Sequence, residues 1–407
     1  NESNELEQVK MAVSSASVDY ITGDKSKTFK QELEESINEV YPGSTVSQKG
    51  SGDKAIYTIT LPNGNQYEVD GFGNVTAKGP KEPEKPIEVT EVWFKIDDTT
   101  LHFSNSDLGG YTKASYGGSD KPWKSQTVTK VIFENEIVPT STYNWFAGFG
   151  ALTELGSMID GEYIANDLSN LNTSKVESMW GMFQVCTAIT NLDLSTFDTS
   201  NVINMSYMFY RCNNLEKLNI SSFDTSNVKD MWVMFSNCPN LTSLDLSNFD
   251  TSNITDMSEM FSNCKKLANL NISSFNTKNV TDMHSMFYLC ESLTNLDLTS
   301  FDTSKVTDMS RMFSKCGLTS LDLSGFDTSN VTNIDYMFSD CSKIVNIKLS
   351  KNFKTKNITN MESIFVRCSK LESLDLSSFD TSNVSDMSGM FSSCRSLKSL
   401  DLSSFNI

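Results

Sequence analysis

One phrase recurs nine times between about Leu171 and the C-terminus, and it limits what this chain can fold into more than any other feature. In the copy from Val228 to Phe249 it reads VKDMWVMFSNCPNLTSLDLSNF. A single cysteine marks each copy: Cys186, Cys212, Cys238, Cys264, Cys290, Cys316, Cys341, Cys368 and Cys394. The period is 26 residues, apart from one step that is a residue short at Cys316-Gly-Leu318 and one that is a residue long through Lys351-Asn-Phe353. A fixed period in the twenties that carries L-x-x-L-x-L marks a leucine-rich-repeat solenoid. Each unit is too small to bury its own apolar side and must stack on copies of itself.

Within one unit, Leu241, Leu244 and Leu246 specify a short strand, with Leu244 and Leu246 on one face and Asp245 on the other. Asn227 to Asp230 reads as a helix start, with the asparagine as N-cap. Val228, Met231, Met234, Phe235 and Cys238 then step by 3, 3, 1 and 3, which predicts one face of a short helix. The expected fold class is α/β, a leucine-rich-repeat solenoid of about nine strand–helix repeats. A degenerate first repeat precedes them: Trp145-Phe146 stands for Met-Phe, Phe149 for the cysteine, and Leu152 and Leu155 for the leucines. Leu155 and Leu171 are 16 apart where Leu244 and Phe249 are 5 apart, so 11 residues have been inserted within Gly156 to Asn170.

Four regions follow. Residues 1–79 read as a small α+β domain. Leu6, Val9, Val13, Ala16 and Tyr20 follow a helical step, and Thr28 to Gln31 forms a capping box before Phe29, Leu33, Ile37 and Val40. Strands are expected at Ala55 to Leu61, Gln66 to Asp70 and Val75 to Ala77, with turns at Pro62 to Asn65 and Gly71 to Gly73. Residues 80–86 are a proline-rich, charged linker. Residues 87–146 are expected to be a β-rich cap with breaks at Gly109-Gly110 and Gly117-Gly118, and residues 147–407 the solenoid.

Composition narrows function. A formal net charge of -18 argues against nucleic acid or an anionic membrane as partner, since both require clustered lysine and arginine. No run of 18 apolar residues and no signal-peptide pattern is present. The cysteines share one repeat column, form no C-x-x-C and are odd in number, so they read as reduced, buried thiols. M-x-x-M-F-x-x-C could offer soft ligands to copper, but core packing already accounts for these side chains, and no cofactor or metal is expected. The two histidines, His102 and His284, are far apart in sequence and read as surface or cap residues. No acid, base or nucleophile stands out from the repeat pattern, so no enzymatic activity is expected.

The unit NVTDMSxMFxxCxxLxxLDLSxFDTS resembles that of BspA-like leucine-rich-repeat surface proteins of bacteria, and VTKVIFENEIVPTSTYNWF resembles that family's N-terminal cap. The resemblance covers residues 87 to 407. It implies an extracellular, cell-surface protein that attaches to proteins of host or neighbouring cells. Residues 1–79 resemble, more weakly, the head of a type IV pilin or pseudopilin, with YTITLPNGNQYEVDGFGNVT as the carrier. That implies an alternative role as a structural or minor subunit of a pilus-like fibre with the repeats as its adhesive tip. Anchoring would run through an apolar helix ahead of Asn1.

Two surfaces are candidate contacts. Outward strand positions carry Asn191, Asp193, Asp245, Asp297 and Asp322, a flat acidic face suited to a basic protein patch or, secondly, to glycan hydroxyls. The inserted segment carries Met158, Ile159, Tyr163 and Ile164 beside Asp160, Glu162 and Asp167, the apolar centre and charged rim of a binding hot spot.

Overall fold

The computed structural model describes residues 8–10, 12, 13, 16, 28–49, 56–62, 66–70, 75–77, 90–116, 121–123 and 127–406. Leu6, Tyr20, the turns at 63–65 and 71–74, the linker at 80–86 and Gly117-Gly118 lie outside them. Two compact units divide between Pro86 and Ile87.

In the first unit residues 8–10, 12, 13 and 16 are helical, and a second helix spans Phe29–Val40. Thr28 caps it reciprocally. The Gln31 N–H donates to Thr28 Oγ1 at 3.3 Å, and the Thr28 N–H donates to Gln31 Oε1 at 2.7 Å. Strands β1 (Thr45–Lys49), β2 (Ile56–Thr60), β3 (Gln66–Asp70) and β4 (Val75–Ala77) form an antiparallel meander. The sequence reading had missed β1, whose TVSQK is polar except at Val46. Val9, Val13, Leu33, Ile37, Ile59 and Val69 make the core.

The second unit opens with a six-stranded sheet of β5 (Thr90–Asp97), β6 (Thr100–Ser104), β7 (Thr112–Tyr116), β8 (Lys130–Phe133), β9 (Glu154–Ile159) and β10 (Glu162–Ala165). Its order is β10-β9-β8-β6-β5-β7. The strand of the degenerate first repeat is β9, pairing in parallel with β8, so the cap and the solenoid share a sheet. Phe103, Phe133, Trp145 and Phe146 fill the join, and Trp123 Nε1 donates to the Trp145 carbonyl at 2.9 Å. The inserted segment is therefore not a separate surface loop. It lengthens β9 and returns as β10.

Beyond the cap the chain is a β-solenoid of about nine turns. The repeat strands pair in parallel and in register, as in Ser243–Asp245 with Asn269–Asn271 and Ser320–Leu323 with Asn346–Leu349. The predicted helix in each repeat is absent, and the α/β character with it. The segment from Met205 to Cys212 is a run of turns. An α-helix would use its N–H groups within itself, four residues back. Here alternate N–H groups leave the turn. Met205, Tyr207, Phe209 and Arg211 donate to Asp230, Trp232, Met234 and Ser236 of the next rung at 2.8, 3.3, 3.0 and 3.0 Å. Met208, Tyr210 and Cys212 donate three residues back within the rung. The alternation needs left-handed backbone at Tyr207 (φ 58°) and Arg211 (φ 59°), and equivalent residues in other rungs share it. That conformation costs a non-glycine residue some free energy. The bonds to the next rung offset it.

The apolar spacing fits both conformations, which is why it misled. Steps of three and four place Met231, Met234, Phe235 and Cys238 inward on consecutive turns as well as on a helix, and all four are fully buried. The phenylalanines stack from rung to rung, with Phe209–Phe235 centroids at 5.6 Å and Phe235–Phe261 at 5.8 Å.

The cysteines carry no disulfide; all are buried but Cys394, which is half-buried. They do more than fill space. Cys264 Sγ donates to the Phe235 carbonyl at 3.1 Å, and Cys238 and Cys290 repeat the bond to Phe209 and Phe261. At the one-residue deletion the ladder slips, and Cys316 reaches the Cys290 carbonyl at 3.5 Å. Burial pushes the Cys264 thiol up to about 12, so it stays a protonated donor. Replacing Cys264 with alanine is expected to cost about 1–3 kcal/mol, because the Phe235 carbonyl is left unpaired beside a small cavity. Cys264→Ser, which keeps a donor, should lose less. Urea titrations of the two variants check the order, and equal losses would dismiss the thiol bond as a contributor.

Two polar columns close each rung against the next. Thr251 Oγ1 donates to the Asn276 carbonyl at 3.0 Å and accepts from the Asn276 N–H at 2.8 Å. The asparagine read as an N-cap instead spans rungs: Asn227 Nδ2 donates to the Ser200 carbonyl at 2.8 Å.

Candidate functional site

The strand face presents the acidic column at the surface. Asp193, Asp245, Asp297 and Asp322 are exposed, and each spends one carboxylate oxygen locally. Oδ1 of Asp193, Asp245, Asp297 and Asp322 accepts the N–H two residues on, from Ser195, Ser247, Thr299 and Ser324, at 3.0, 3.0, 3.0 and 2.9 Å. The Asx turns at Asp193 and Asp245 end their strands, and such turns hold Asp245 and Asp297 below the usual carboxylate range. Asp322 is drawn down to about 2 by the same turn, together with Lys348 Nζ at 2.9 Å in the next rung. Asn191 is exposed beside Asp193. Asp245 and Asn271 border a shallow open depression with Ser243, Asn269 and Asn295.

The structure does not gather these residues into one patch. Asp193 lies one rung beyond β9, whereas Asp245, Asp297 and Asp322 follow at two, four and five rungs beyond Asp193. Parallel strands stack about 4.8 Å apart, so the candidates form a line roughly 24 Å long.

The inserted segment breaks this regularity. β9 and β10 form a two-residue hairpin whose tip is Asp160 (φ 51°) and Gly161 (φ 84°), the left-handed pair that a tight antiparallel turn requires. Asp160 and Glu162 are exposed, Ile164 is 42 % exposed, and Met158 and Ile159 are half-buried. Two of the named residues serve the fold. Tyr163 lies across Gly156, where a Cβ would come within 2.7 Å of the Tyr163 ring, and Lys130 Nζ sits 3.4 Å from the ring centroid. Burial and neighbouring Glu154 raise the Tyr163 hydroxyl above its usual range. Asp167 accepts from the Ser169 N–H at 2.8 Å, and its carbonyl accepts from Ser157 Oγ at 2.9 Å. The open part of the hairpin is thus Met158, Ile159, Asp160, Glu162 and Ile164.

A second acidic column was missed, because the aspartate of N-V-x-D passes for a helix-start acid. Asp256, Asp282 and Asp308 bridge rung to rung. Asp282 and Asp308 are 4 % and 8 % exposed, and His284 is buried rather than superficial. Its Nδ1 lies 2.8 Å from Asp282 and its Nε2 3.7 Å from Glu259. Burial works against charge on His284, but the two carboxylates outweigh it and hold the imidazolium. Burial and Asp282 push Asp256 up to about 6. His102 is half-buried against Glu134 at 2.6 Å. Among the described residues no group of three or more His, Cys, Asp or Glu side chains is arranged to hold a metal ion, and no helix is long and apolar enough to cross a membrane.

No curated protein matches the chain. Among solved structures, a chain of the TLR13–ssRNA13 complex is similar at 12 % identity, over 67 % of this chain and 53 % of that one. The TM-score is 0.15, too low to carry an argument. Neither comparison points to a pilin or to a BspA-like protein. The repeats themselves do match a family, at residues 153–245, 233–352 and 343–407, a span that takes in every rung of the solenoid. The chain belongs to the family described as Mycoplasma protein of unknown function, DUF285.

Proposed function

We propose that this chain is an extracellular attachment protein whose solenoid holds a protein-binding surface toward a host or neighbouring cell, as the resemblance to BspA-like surface proteins implies. The observation that carries the reading is the β9–β10 hairpin. A regular array offers nearly the same chemistry at every rung, and only at the hairpin do exposed Ile164, half-buried Met158 and Ile159, and exposed Asp160 and Glu162 meet. An apolar centre with a charged rim is the composition of an interaction hot spot, and the acidic rim selects a basic partner. The neighbouring strand face, from Asn191 and Asp193 onward, extends the same charge along the axis.

Deleting the whole insertion would not test this, since Gly156, Ser157 and Leu168 are buried. The informative variant changes exposed side chains only: Asp160→Lys, Glu162→Lys and Ile164→Ser together. Binding of the purified chain to whole cells, followed by flow cytometry, is expected to fall about tenfold with an unchanged melting temperature. Undiminished binding by the well-folded triple variant refutes the hairpin as the contact.

A further inference from the structure

β10 is the outermost strand of the cap sheet, and its free edge carries unused backbone groups. The register with β9 pairs Glu162 with Ile159, Tyr163 with Met158, Ile164 with Ser157 and Ala165 with Gly156. The Asn166 N–H donates to the Leu155 carbonyl at 2.8 Å, which fixes which pairs exchange hydrogen bonds. Glu162, Ile164 and Asn166 turn their backbone toward β9. Tyr163 and Ala165 turn theirs outward, because the ladder alternates. No hydrogen bond from either outward N–H or to either outward carbonyl is present among the described residues. The strand is open to solvent along this side, with Glu162, Ile164, Ala165 and Asn166 all exposed.

Free edges invite another strand, and proteins that do not use them cover them or place lysine on them. Among the described residues nothing pairs with this one, and it is flanked by carboxylates at Asp160 and Glu162. We propose that β10 receives an extended basic segment of a partner protein, which adds to the sheet as a further strand. Its main chain bonds to Tyr163 and Ala165, and its lysines or arginines meet Asp160 and Glu162. Such strand addition takes affinity from main-chain bonds and selectivity from alternate side chains. The proposal rests on the reading of the hairpin as the contact site and names how that contact is made.

The test uses the full chain and the capped hexapeptide Lys-Val-Lys-Val-Lys-Val as probe, with Glu-Val-Glu-Val-Glu-Val as control. The lysine peptide is expected to bind, to slow amide exchange in the segment from Glu162 to Asn166, and to bind less tightly as salt rises; the acidic peptide should not bind. Ala165→Pro removes one outward N–H and leaves the pairing with β9 intact, since proline is tolerated on an edge facing solvent. It is expected to weaken the probe about tenfold, the loss of one net hydrogen bond. Equal binding by Ala165→Pro at an unchanged melting temperature overturns strand addition, as does protection that falls outside the hairpin or dimerisation through β10 in place of probe binding. If the proline variant melts lower, Asp160→Lys with Glu162→Lys decides, because it leaves the backbone untouched: retained binding and salt dependence overturn the proposal. Should the triple variant lose cell binding while Ala165→Pro keeps it, the contact site stands and strand addition falls.

Discussion

Thr251→Val is expected to destabilise the solenoid by about 2–4 kcal/mol, more than a change of one oxygen to one methyl suggests. The threonine hydroxyl answers both polar groups of a single peptide position, donating to the Asn276 carbonyl and accepting from the Asn276 N–H. Valine has nearly the same shape and fills the same buried site, so no cavity opens and the packing is unchanged. What is lost is the pairing of two buried backbone groups, each costing about 1–3 kcal/mol when left alone. Thr225 and Thr277 make the same pair of contacts at 2.8–2.9 Å and 2.8 Å, so valine at either should have a similar effect. Urea denaturation of Thr251→Val and Thr251→Ser checks this. Serine keeps the hydroxyl and should lose much less; a valine variant as stable as wild type would show the column to be ornamental.

That threonine shows what could be read from the residues and what could not. The period, the strand at Leu244 and the inward set of Met234, Phe235 and Cys238 are one-dimensional facts, carried by spacing and hydrophobicity, and they are visible in the chain. What Thr251, Asn227 and Cys264 do depends on where the next rung's carbonyls lie, and an apolar step of three or four residues does not say whether a backbone bonds to itself or to its neighbour. A helix therefore looked as good as a ladder of turns. A signal was present in the residue before Met231: Asp230 recurs from repeat to repeat as Asp, Ser or Asn, types that favour turns and Asx bonds over helix interiors. The candidate site was legible in outline, since the extra residues between Leu155 and Leu171 could be counted. That they pair as β10, and that Tyr163 covers Gly156, required the sheet.

The chain should be more stable at pH 5 than at pH 7.5, against the habit of acid denaturation. Asp256 is faced by Asp282, Ser258 and His284. Asp308 is faced by Asp282, His284, Ser310 and the amide of Asn333 at 3.1 Å. Asp335 is faced by Asp308, Glu362, Arg311 and Asp386, and its carboxyl is pushed up to about 6, chiefly by burial. Each of these three aspartates has a folded pKa above its unfolded value of 3.8, so the folded state holds protons that the unfolded chain releases. Their contribution is full below about pH 4; that of Asp256 and Asp335 is lost as pH climbs through about 6, and that of Asp308 as pH climbs through its own raised value. His284 is raised too, so its contribution is present below the ordinary histidine range and is lost only as pH rises through its folded value. The lowered aspartates of the surface Asx turns, such as Asp245 and Asp375, act below about pH 4 and leave this window alone. Lowering the pH from 7.5 to 5 is expected to add roughly 2 kcal/mol, or about 4–8 °C in melting temperature for a solenoid of this size. Asp256→Asn with Asp308→Asn should raise the melting temperature at pH 7.5 and flatten the dependence. A higher melting temperature at pH 7.5 than at pH 5, or an unaltered slope in the double variant, counts against this account.

The main-chain bonds between rungs run along the solenoid axis, which decides how the molecule yields when its two ends are drawn apart. Tension peels a terminal rung away bond after bond, because the bonds at the peeling front are loaded one at a time while the rungs behind it share the same pull over all their bonds at once. Each rung so released contributes 26 residues of slack, about 90 Å of extended chain. A tether built this way lengthens in increments under a drag that would detach a stiff rod, and it can rewind from the rungs still in place, each of which is a template for the one it lost.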